Sequence, residues 1–181
     1  MIYFITGGAK NGTSSLAQDL AVAMARGSTH YYIATMIPAD EEDCRRIENH
    51  IKDRDGLGFQ TLECGRDILS LLQKVDRNAT FLLDSATALL LNELFPDPTS
   101  CEMDVKAAEK CAEDLVIFAK AVKNIVIVSD YIYSDAARYD EVTEIYRKCL
   151  ADIDRNMAAV SDTVLEVSGG NIIVHKGDLL V

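Results

Sequence analysis

Residues 2–14, IYFITGGAKNGTS, contain the features that decide the fold. The run 2–6 is short, apolar and β-favouring, and it ends at two glycines, which predicts a buried strand followed by a turn. Apolar residues at helical spacing continue to Ala25 and predict a helix directly after the turn. A strand, a glycine turn and a helix N-terminus together present unpaired backbone N–H groups and a favourable helix dipole to an anion. The stretch is therefore typical of a phosphate-binding loop.

The spacing from Gly7 to Ser14 follows the Walker A pattern G-x-x-x-x-G-K-[ST] with one departure. Thr13 stands where that pattern has the lysine that reaches the β- and γ-phosphates. Lys10 is a nearby cation, but it would approach from a different direction. Two interpretations are open for these residues alone: a phosphate-binding loop, which the position between strand and helix favours, or a glycine-rich turn that binds no nucleotide.

Length, charge and hydropathy limit the function classes. A chain of 181 residues predicts a single domain, residues 1–181, that is large enough to bury a core. No apolar run approaches the roughly 20 residues that span a bilayer, and the N-terminal run breaks at Gly7, unlike a signal peptide. We therefore expect a cytoplasmic protein with no membrane span. The net charge of −11 argues against a nucleic-acid partner, which requires a basic surface.

The five cysteines are scattered and form no C-x-x-C pair. This spacing argues against a zinc site and against a disulfide framework. We expect free thiols at Cys44, Cys64, Cys101, Cys111 and Cys149.

Strand and helix patterns alternate along the rest of the chain. The apolar patterns predict strands at 2–6, 30–35, 59–63, 79–84, 124–129, 163–168 and 171–175, and helices at 39–52, 67–75, 85–95, 102–123 and 136–159, with the first of these helices exposed and the third buried. Strands separated by helices imply a doubly wound, mostly parallel α/β sheet, and the last two strands imply a C-terminal antiparallel hairpin. Ligands bind at the carboxyl ends of such strands. That rule collects the glycine loop, Thr35, Asp84, Ser129 and Asp130 on one rim.

Asp84 and Ser14 are the candidate metal ligands. Asp84 ends a buried strand as a Walker B acid would, and Ser14 occupies the position of the phosphate-loop hydroxyl. Together they would hold Mg²⁺ on the phosphates of a nucleotide. The alternative is that Asp84 only caps the helix that follows it, and the two roles are compatible.

His50 lies on the most polar predicted helix, one turn after Arg46 and close to Lys52 and Arg54. Basic neighbours favour the neutral, nucleophilic form of a histidine and supply charge to neutralise a phosphate under attack. A solvated surface histidine is the alternative from these residues alone.

Several short motifs, taken together, resemble one enzyme family over nearly the whole chain. They are GGAKNGTS at residues 7–14, YIAT at 32–35, R-I-x-x-H from Arg46 to His50, T-x-E at Thr61 and Glu63, LLD-x-x-T at 82–87 followed by Asn92, the pair Tyr146-Arg147, and MAAVSD ending at Asp162. The chain resembles the bifunctional adenosylcobinamide kinase/adenosylcobinamide-phosphate guanylyltransferase family.

The resemblance implies a P-loop-type α/β fold, a role in cobalamin assembly and salvage, and two reactions. The first phosphorylates adenosylcobinamide with ATP or GTP; the second transfers GMP from GTP through a histidine–GMP phosphoramidate. Carried over by position, His50 would be the nucleophile. The nucleotide site would comprise Gly7, Gly8, Ala9, Lys10, Asn11, Gly12, Thr13, Ser14, Ile33, Ala34, Thr35, Ile51, Lys52, Asp53, Arg54, Glu63 and Asp84. Mg²⁺ would be the cofactor, a corrinoid the acceptor, and a homo-oligomer the expected assembly.

The chain departs from the family at three places. The family's Gly-Lys-Ser is Gly12-Thr13-Ser14; its N-E-V-G-x-G segment is DYIYSD at residues 130–135; and its Asn-Gln pair is Asp154-Arg155. Losing a charge contact worth about 3–5 kcal/mol in the transition state would slow phosphoryl transfer by roughly 10²–10⁴. Three hypotheses remain: a guanylyltransferase with weak or lost kinase activity, a nucleotide- or corrinoid-binding relative without catalysis, and an enzyme with another phosphotransfer substrate.

Overall fold

The computed structural model describes residues 1–8, 10–97, 99–100, 102–133 and 136–179. The strands are β1 (Ile2–Gly7), β2 (His30–Ala34), β3 (Gln60–Glu63), β4 (Thr80–Asp84), β5 (Asn124–Asp130), β6 (Thr163–Ser168) and β7 (Asn171–Lys176). The α-helices are α1 (Thr13–Ala25), α2 (Glu41–Asp53), α3 (Ala86–Leu94), α4 (Val105–Ala121) and α5 (Glu141–Val160), and a 3₁₀ helix covers Ile68–Gln73.

The seven strands form one sheet in the order β3-β2-β4-β5-β1-β6-β7. Each neighbouring pair is parallel except β6 and β7. These two form an antiparallel hairpin at the end of the chain, and β7 is one of the two edge strands of the sheet. Asp162, just before β6, ties this strand to the start of β1, because its carboxylate accepts a hydrogen bond from the Ile2 N–H at 2.7 Å. The predicted doubly wound sheet with a terminal hairpin is confirmed.

Helices cover both faces of the sheet, which explains why its central strands are apolar without alternation. Helix α1 packs on one face, over residues such as Ile5, Leu82 and Val128. Helices α3, α4 and α5 and the 3₁₀ helix pack on the other face, over Phe81, Ile127 and their neighbours. The carboxyl ends of the strands remain at the edge of this three-layer core.

Side-chain caps set helix starts later than the apolar pattern predicted. Asp104 caps α4 by accepting from the Ala107 N–H at 2.9 Å, and Asp140 caps α5 by accepting from the Thr143 N–H at 2.8 Å. An N-cap residue is itself outside the helix. The predicted helical residues 102–104 and 136–140 therefore precede their helices, as far as those residues are described.

The predicted helix at 67–75 is also wrong in type, since the chain forms only a short 3₁₀ helix there. Asp67 begins it in a left-handed conformation, with φ of 48°, and Ile68 and Leu71 are buried against the core. The two apolar anchors fit either kind of helix, so the spacing alone could not distinguish them. The predicted buried helix, α3, does lie in the core, although its Leu91 is 46% exposed.

Helix α2 differs from the other helices because none of its residues is buried. The Asp40 carboxylate caps it, accepting from the Glu42 and Asp43 N–H groups at 2.8 and 2.9 Å. An exposed helix was predicted for this segment, and that prediction is confirmed.

Within the described residues, Cys44, Cys64, Cys111 and Cys149 are free thiols, whereas Cys101 lies outside them. No helix in the described part of the chain combines the length and apolarity that crossing a membrane requires.

Gly7 sits where β1 touches both the start of α1 and strand β6. A Cβ atom on Gly7 would lie 2.7 Å from the Thr13 Cγ2 atom and 2.7 Å from the Val167 carbonyl oxygen. We expect Gly7→Ala to lower the free energy of unfolding by about 1–3 kcal/mol, because the backbone of β6 cannot yield easily. Urea unfolding measures the change. Gly8→Ala is the control, since its Cβ would meet only the mobile end of Asn11, at 2.8 Å; an equal loss there would contradict the assigned cause.

Candidate functional site

A cleft of about 1120 Å³ opens at the carboxyl edge of the sheet, between the start of α1, helix α2 and the ends of β2, β3, β4 and β5. Ten of the predicted site residues line it: Lys10, Gly12, Thr13, Ser14, Ala34, His50, Ile51, Arg54, Glu63 and Asp84. The cleft therefore brings the glycine-rich loop, the candidate metal ligands and the candidate nucleophile to one place.

The glycine-rich loop ends in a helix N-terminus that no side chain caps. Gly12 is the N-cap of α1, with φ of 91°, which glycine adopts without strain. Lys10 lies in a left-handed conformation and is exposed at the cleft. The first N–H groups of α1 are thus left to a ligand, as phosphate binding requires. The predicted Ala9 lies outside the described residues.

Thr13 is 5% exposed, so the residue at the expected lysine position turns its side chain into the protein. Ser14, the next residue, is half-buried and lines the cleft. The loop therefore offers backbone N–H groups and one hydroxyl at the cleft, but Thr13 supplies no positive charge there.

A chain of contacts links α2 to the floor of the cleft. The Arg54 guanidinium lies 4.3 Å from the centre of the Tyr32 ring, and its Nη2 donates to the Thr61 hydroxyl at 3.4 Å. The Tyr32 hydroxyl donates to Asp84 Oδ2 at 3.0 Å. Burial, followed by the Asp84 charge, raises the pKa of Tyr32 well above its usual range, so the phenol remains a donor at neutral pH.

Asp84 does not cap the helix that follows it. The N-cap of α3 is Ser85, whose hydroxyl accepts from the Ala88 N–H at 3.3 Å. The capping interpretation of Asp84 is therefore wrong. Asp84 lines the cleft, and no described residue forms a hydrogen bond to its Oδ1 atom. Asp84 and Ser14 both line the cleft, and their side chains carry oxygen atoms of the kind that Mg²⁺ prefers as ligands. No described group of three or more His, Cys, Asp or Glu residues could hold a metal by itself.

His50 is half-buried and lines the cleft, and no hydrogen bond to its ring is formed by a described residue. The other two histidines are engaged elsewhere. His30 places its ring nitrogens 2.9 and 2.8 Å from the Ser28 and Leu57 carbonyls, and His175 lies 2.7 Å from Glu166. Of the three histidines, only His50 lines the cleft together with the phosphate loop, and only its ring accepts or donates no hydrogen bond among the described residues.

Seven predicted site residues do not line the cleft: Gly7, Gly8, Asn11, Ile33, Thr35, Lys52 and Asp53. Ile33 is fully buried in the core, whereas Lys52 and Asp53 are exposed on α2. Thr35 is buried below the cleft, where its hydroxyl donates to the Ser85 carbonyl at 2.8 Å and accepts from the Ser85 N–H at 2.7 Å.

Asn92 and Thr87, which belong to the motifs of the resemblance, hold the walls of the cleft in place. Asn92 Nδ2 donates to the Thr35 and Gly65 carbonyls at 2.8 and 2.9 Å. The Thr87 hydroxyl accepts from the Asp130 N–H at 2.9 Å. Their role in this structure is to fix the ends of β2 and β5 relative to α3.

Several lining residues were not predicted. They are Ser15, Tyr32, Met36, Ile37, Pro38, Glu42, Cys44, Ile47, Glu48, Asn49, Cys64, Gly65 and Ala88, together with others from the motifs. Most belong to the segment between β2 and α2 or to α2 itself, which no strand-end rule covers. Asp130 also lines the cleft, and the strand-end rule did place it on the rim.

Asp154, on α5, is a buried carboxylate next to the end of β5. Its Oδ1 accepts from the Ser129 hydroxyl at 2.7 Å and its Oδ2 from the Tyr133 hydroxyl at 2.6 Å. Burial raises the pKa of Asp154 to about 6, with a contribution from the Asp130 charge, against the effect of the two hydrogen bonds. The cluster joins the segment after β5 to α5.

We expect Asp154→Asn to stabilise the protein at neutral pH. Because the pKa of Asp154 is about 6 in the folded protein against an ordinary 3.8, ionisation costs stability as the pH rises from 4 to 6. The asparagine variant should gain up to about 3 kcal/mol over the wild type at pH 7 and little at pH 4. Urea unfolding across this range measures the difference. Asp152→Asn is the control, since Asp152 lies on the same helix and is less buried, in an ion pair with Arg155; a gain in the Asp154 variant that is independent of pH would contradict the assignment.

Comparison with solved structures shows the fold. A protein of Pyrococcus horikoshii OT3, PH0250, is similar with a TM-score of 0.52 and 9% identity over 97% of this chain and 86% of its own. An ATPase from the type III secretion system of pathogenic bacteria gives a TM-score of 0.54 and 12% identity over 93% of this chain and 51% of its own. The flagellar accessory protein FlaH of Methanocaldococcus jannaschii gives 0.43 and 14% identity over 98% and 78%.

Comparison with curated proteins found no match. Comparison with protein families gives a direct result, because the family described as cobinamide kinase/cobinamide phosphate guanyltransferase matches residues 3–174. That match includes the phosphate loop, the α2 histidine and the strand-end acids that together line the cleft. The chain therefore belongs to the cobinamide kinase/cobinamide phosphate guanyltransferase family of cobalamin biosynthesis.

Proposed function

We propose that this protein transfers GMP from GTP to adenosylcobinamide phosphate through a covalent intermediate on His50. One observation carries the proposal: the His50 ring, which has no hydrogen-bond partner among the described residues, lies in the same cleft as the uncapped start of α1 and the Asp84 carboxylate. A neutral imidazole is a good nucleophile toward phosphorus, and a covalent intermediate divides a difficult transfer into two easier displacements. Membership of the family supports the substrate class.

The residues of the cleft suit the charge changes of this reaction. The N–H groups at the start of α1 would bind phosphate oxygens, and Arg46, one turn before His50, would approach the same anion from α2. Ser14 and Asp84 would hold Mg²⁺, which when bound neutralises charge on the phosphates. The volume of about 1120 Å³ is slightly above the usual range for ligand pockets and leaves room for an acceptor beside the nucleotide.

Intact-mass spectrometry after incubation with GTP and Mg²⁺ tests the proposal. The solutions must be kept away from acid, because phosphoramidates are acid-labile. We expect a GMP adduct that maps to His50 and disappears when adenosylcobinamide phosphate is added. GTP binding without an adduct would instead support a nucleotide-binding role without catalysis.

The second candidate is a nucleotide- or corrinoid-binding relative without catalysis, with a regulatory or scaffolding role. The buried Thr13 at the lysine position favours it, since it leaves the loop without its usual phosphate-binding charge. For the same reason we propose that any ATP- or GTP-dependent kinase activity is weak. Calorimetry with GTP and adenosylcobinamide, run beside the adduct assay, separates binding from turnover.

The assembly and the location of the protein also remain proposals. We propose a homo-oligomer, as the family resemblance implies, and a single domain over residues 1–181 in the cytoplasm, as length and composition predict. Light scattering at several protein concentrations tests the first of these directly.

A further inference from the structure

Asp130 ends strand β5, which lies between the phosphate-loop strand β1 and the Asp84 strand β4. In the parallel register, Asp130 is opposite Gly7, while Asp84 is opposite Val128. Val126 and Val128 point into the core under α1, so Asp130 lies on that same face of the sheet, which is also the face of Asp84 and Tyr32. Asp130 is therefore directly beside the start of the phosphate loop. It lies two residues further along its strand than Val128, the residue opposite Asp84.

The Asp130 carboxylate is directed to the cleft. It is half-buried and lines the cleft, and its backbone N–H is held by Thr87. No hydrogen bond to its carboxylate is formed by a described side chain or backbone group. Whatever enters the cleft therefore meets an unpaired carboxylate at the end of β5.

His50 and Arg46 face this carboxylate from α2. They are four residues apart and so lie on one side of the helix, and both line the cleft. Burial and the Asp84 charge raise the pKa of Asp130, whereas the Arg46 guanidinium and any positive charge on the His50 ring oppose the rise. Asp130 and His50 are thus within electrostatic reach across the cleft. The other charged groups that line it are Lys10, Glu42, Glu48, Arg54, Glu63 and Asp84.

The proposed reaction creates a positive charge on His50. One ring nitrogen forms a bond to the α-phosphorus of GTP, the bond to the bridging oxygen breaks, and its electron pair leaves with pyrophosphate. The second ring nitrogen keeps its proton, so the ring becomes cationic. A negative charge fixed on the opposite wall stabilises the product and the transition state more than the neutral ring.

We propose that Asp130 is a positioning residue for His50, which holds the imidazole toward the phosphate and stabilises the charge it gains on guanylylation. The inference rests on the proposed function. Asp130 belongs to none of the motifs of the resemblance, and it is the first residue of the segment that replaces the family's N-E-V-G-x-G. The inference assigns this residue to guanylyl transfer through His50.

Asp130→Asn tests the inference, because asparagine keeps the size and removes the charge. We expect the rate of GMP-adduct formation to fall about 10- to 100-fold, while the Kd for GTP measured by calorimetry is unchanged or lower. A lower Kd would follow from removing a negative charge beside the phosphates. Asp130→Glu should recover part of the rate. Asp19→Asn, exposed on α1 outside the cleft, controls for the change in net charge.

Three results would overturn the inference. If high Mg²⁺ fully restores the rate of the Asp130→Asn variant, Asp130 acts as a metal ligand. If the variant loses GTP affinity, rate and melting temperature together, the role of Asp130 is structural. An unchanged rate would remove it from the reaction altogether. Absence of an adduct in the wild-type protein is a separate outcome, because it refutes the proposed function itself and this inference with it.

Discussion

His50→Asn will abolish the GMP adduct, with a loss in the rate of at least about 10³-fold, because asparagine has no nitrogen that can attack phosphorus. The structure predicts that the loss is confined to this step. His50 is half-buried on a helix with no buried residue, so its replacement should leave the core unchanged. The affinity for GTP should stay within a few-fold of the wild type, since the phosphate loop is untouched.

The measurement is time-resolved mass spectrometry at neutral pH with GTP and Mg²⁺, accompanied by calorimetry of GTP binding. His175→Asn is the matched control, because His175 lies on β7 and pairs with Glu166. An adduct that persists in the His50 variant would show that another residue is the nucleophile. An adduct lost equally in the His175 variant would contradict the assignment as well.

Thr13→Lys will raise the rate of phosphoryl transfer to adenosylcobinamide by roughly 10²–10⁴. A lysine at this first position of α1 supplies the charge that the loop lacks, and one such contact is worth about 3–5 kcal/mol in the transition state. The threonine is buried against Gly7, so the longer side chain must leave that contact and extend over the cleft.

The change is measured as transfer of labelled phosphate from ATP or GTP to adenosylcobinamide. Thr13→Gln is the matched control, since glutamine is long and polar but uncharged. A gain in the lysine variant alone identifies the missing charge as the cause. No gain would mean that other departures, such as the replaced segment after β5, already prevent the reaction.

The sequence allowed the sheet to be predicted because its central strands β1, β4 and β5 are short apolar runs that end in glycine or aspartate. Helix starts were less predictable. Asp104 and Asp140 belong to charged stretches in which no single residue stands out as the cap. The apolar spacing continues through both stretches, so the predicted α4 and α5 began too early, at residues 102 and 136 instead of Val105 and Glu141.

The candidate site was predictable where a motif falls on the phosphate loop or at a strand end, as at Ser14 and Asp84 respectively. It was less predictable within a strand, where successive side chains point to opposite faces. The predicted run Ile33, Ala34 and Thr35 illustrates this, since only Ala34 lines the cleft. Asp130 was collected by the strand-end rule, but its relation to His50 depends on how α2 lies across the sheet edge, which no local pattern encodes.

Because α2 is exposed, the chemistry of the cleft and the stability of the fold, which are usually linked in enzymes, depend on different residues here. Substitutions that tune an active site commonly cost stability, because the same side chains also pack the fold. Here the candidate nucleophile and its basic neighbours belong to a helix without a buried residue, so changes there alter few contacts of the core. Substitutions on α2 therefore change the chemistry of the cleft at little cost in stability, while the packing of the sheet and the phosphate loop is kept.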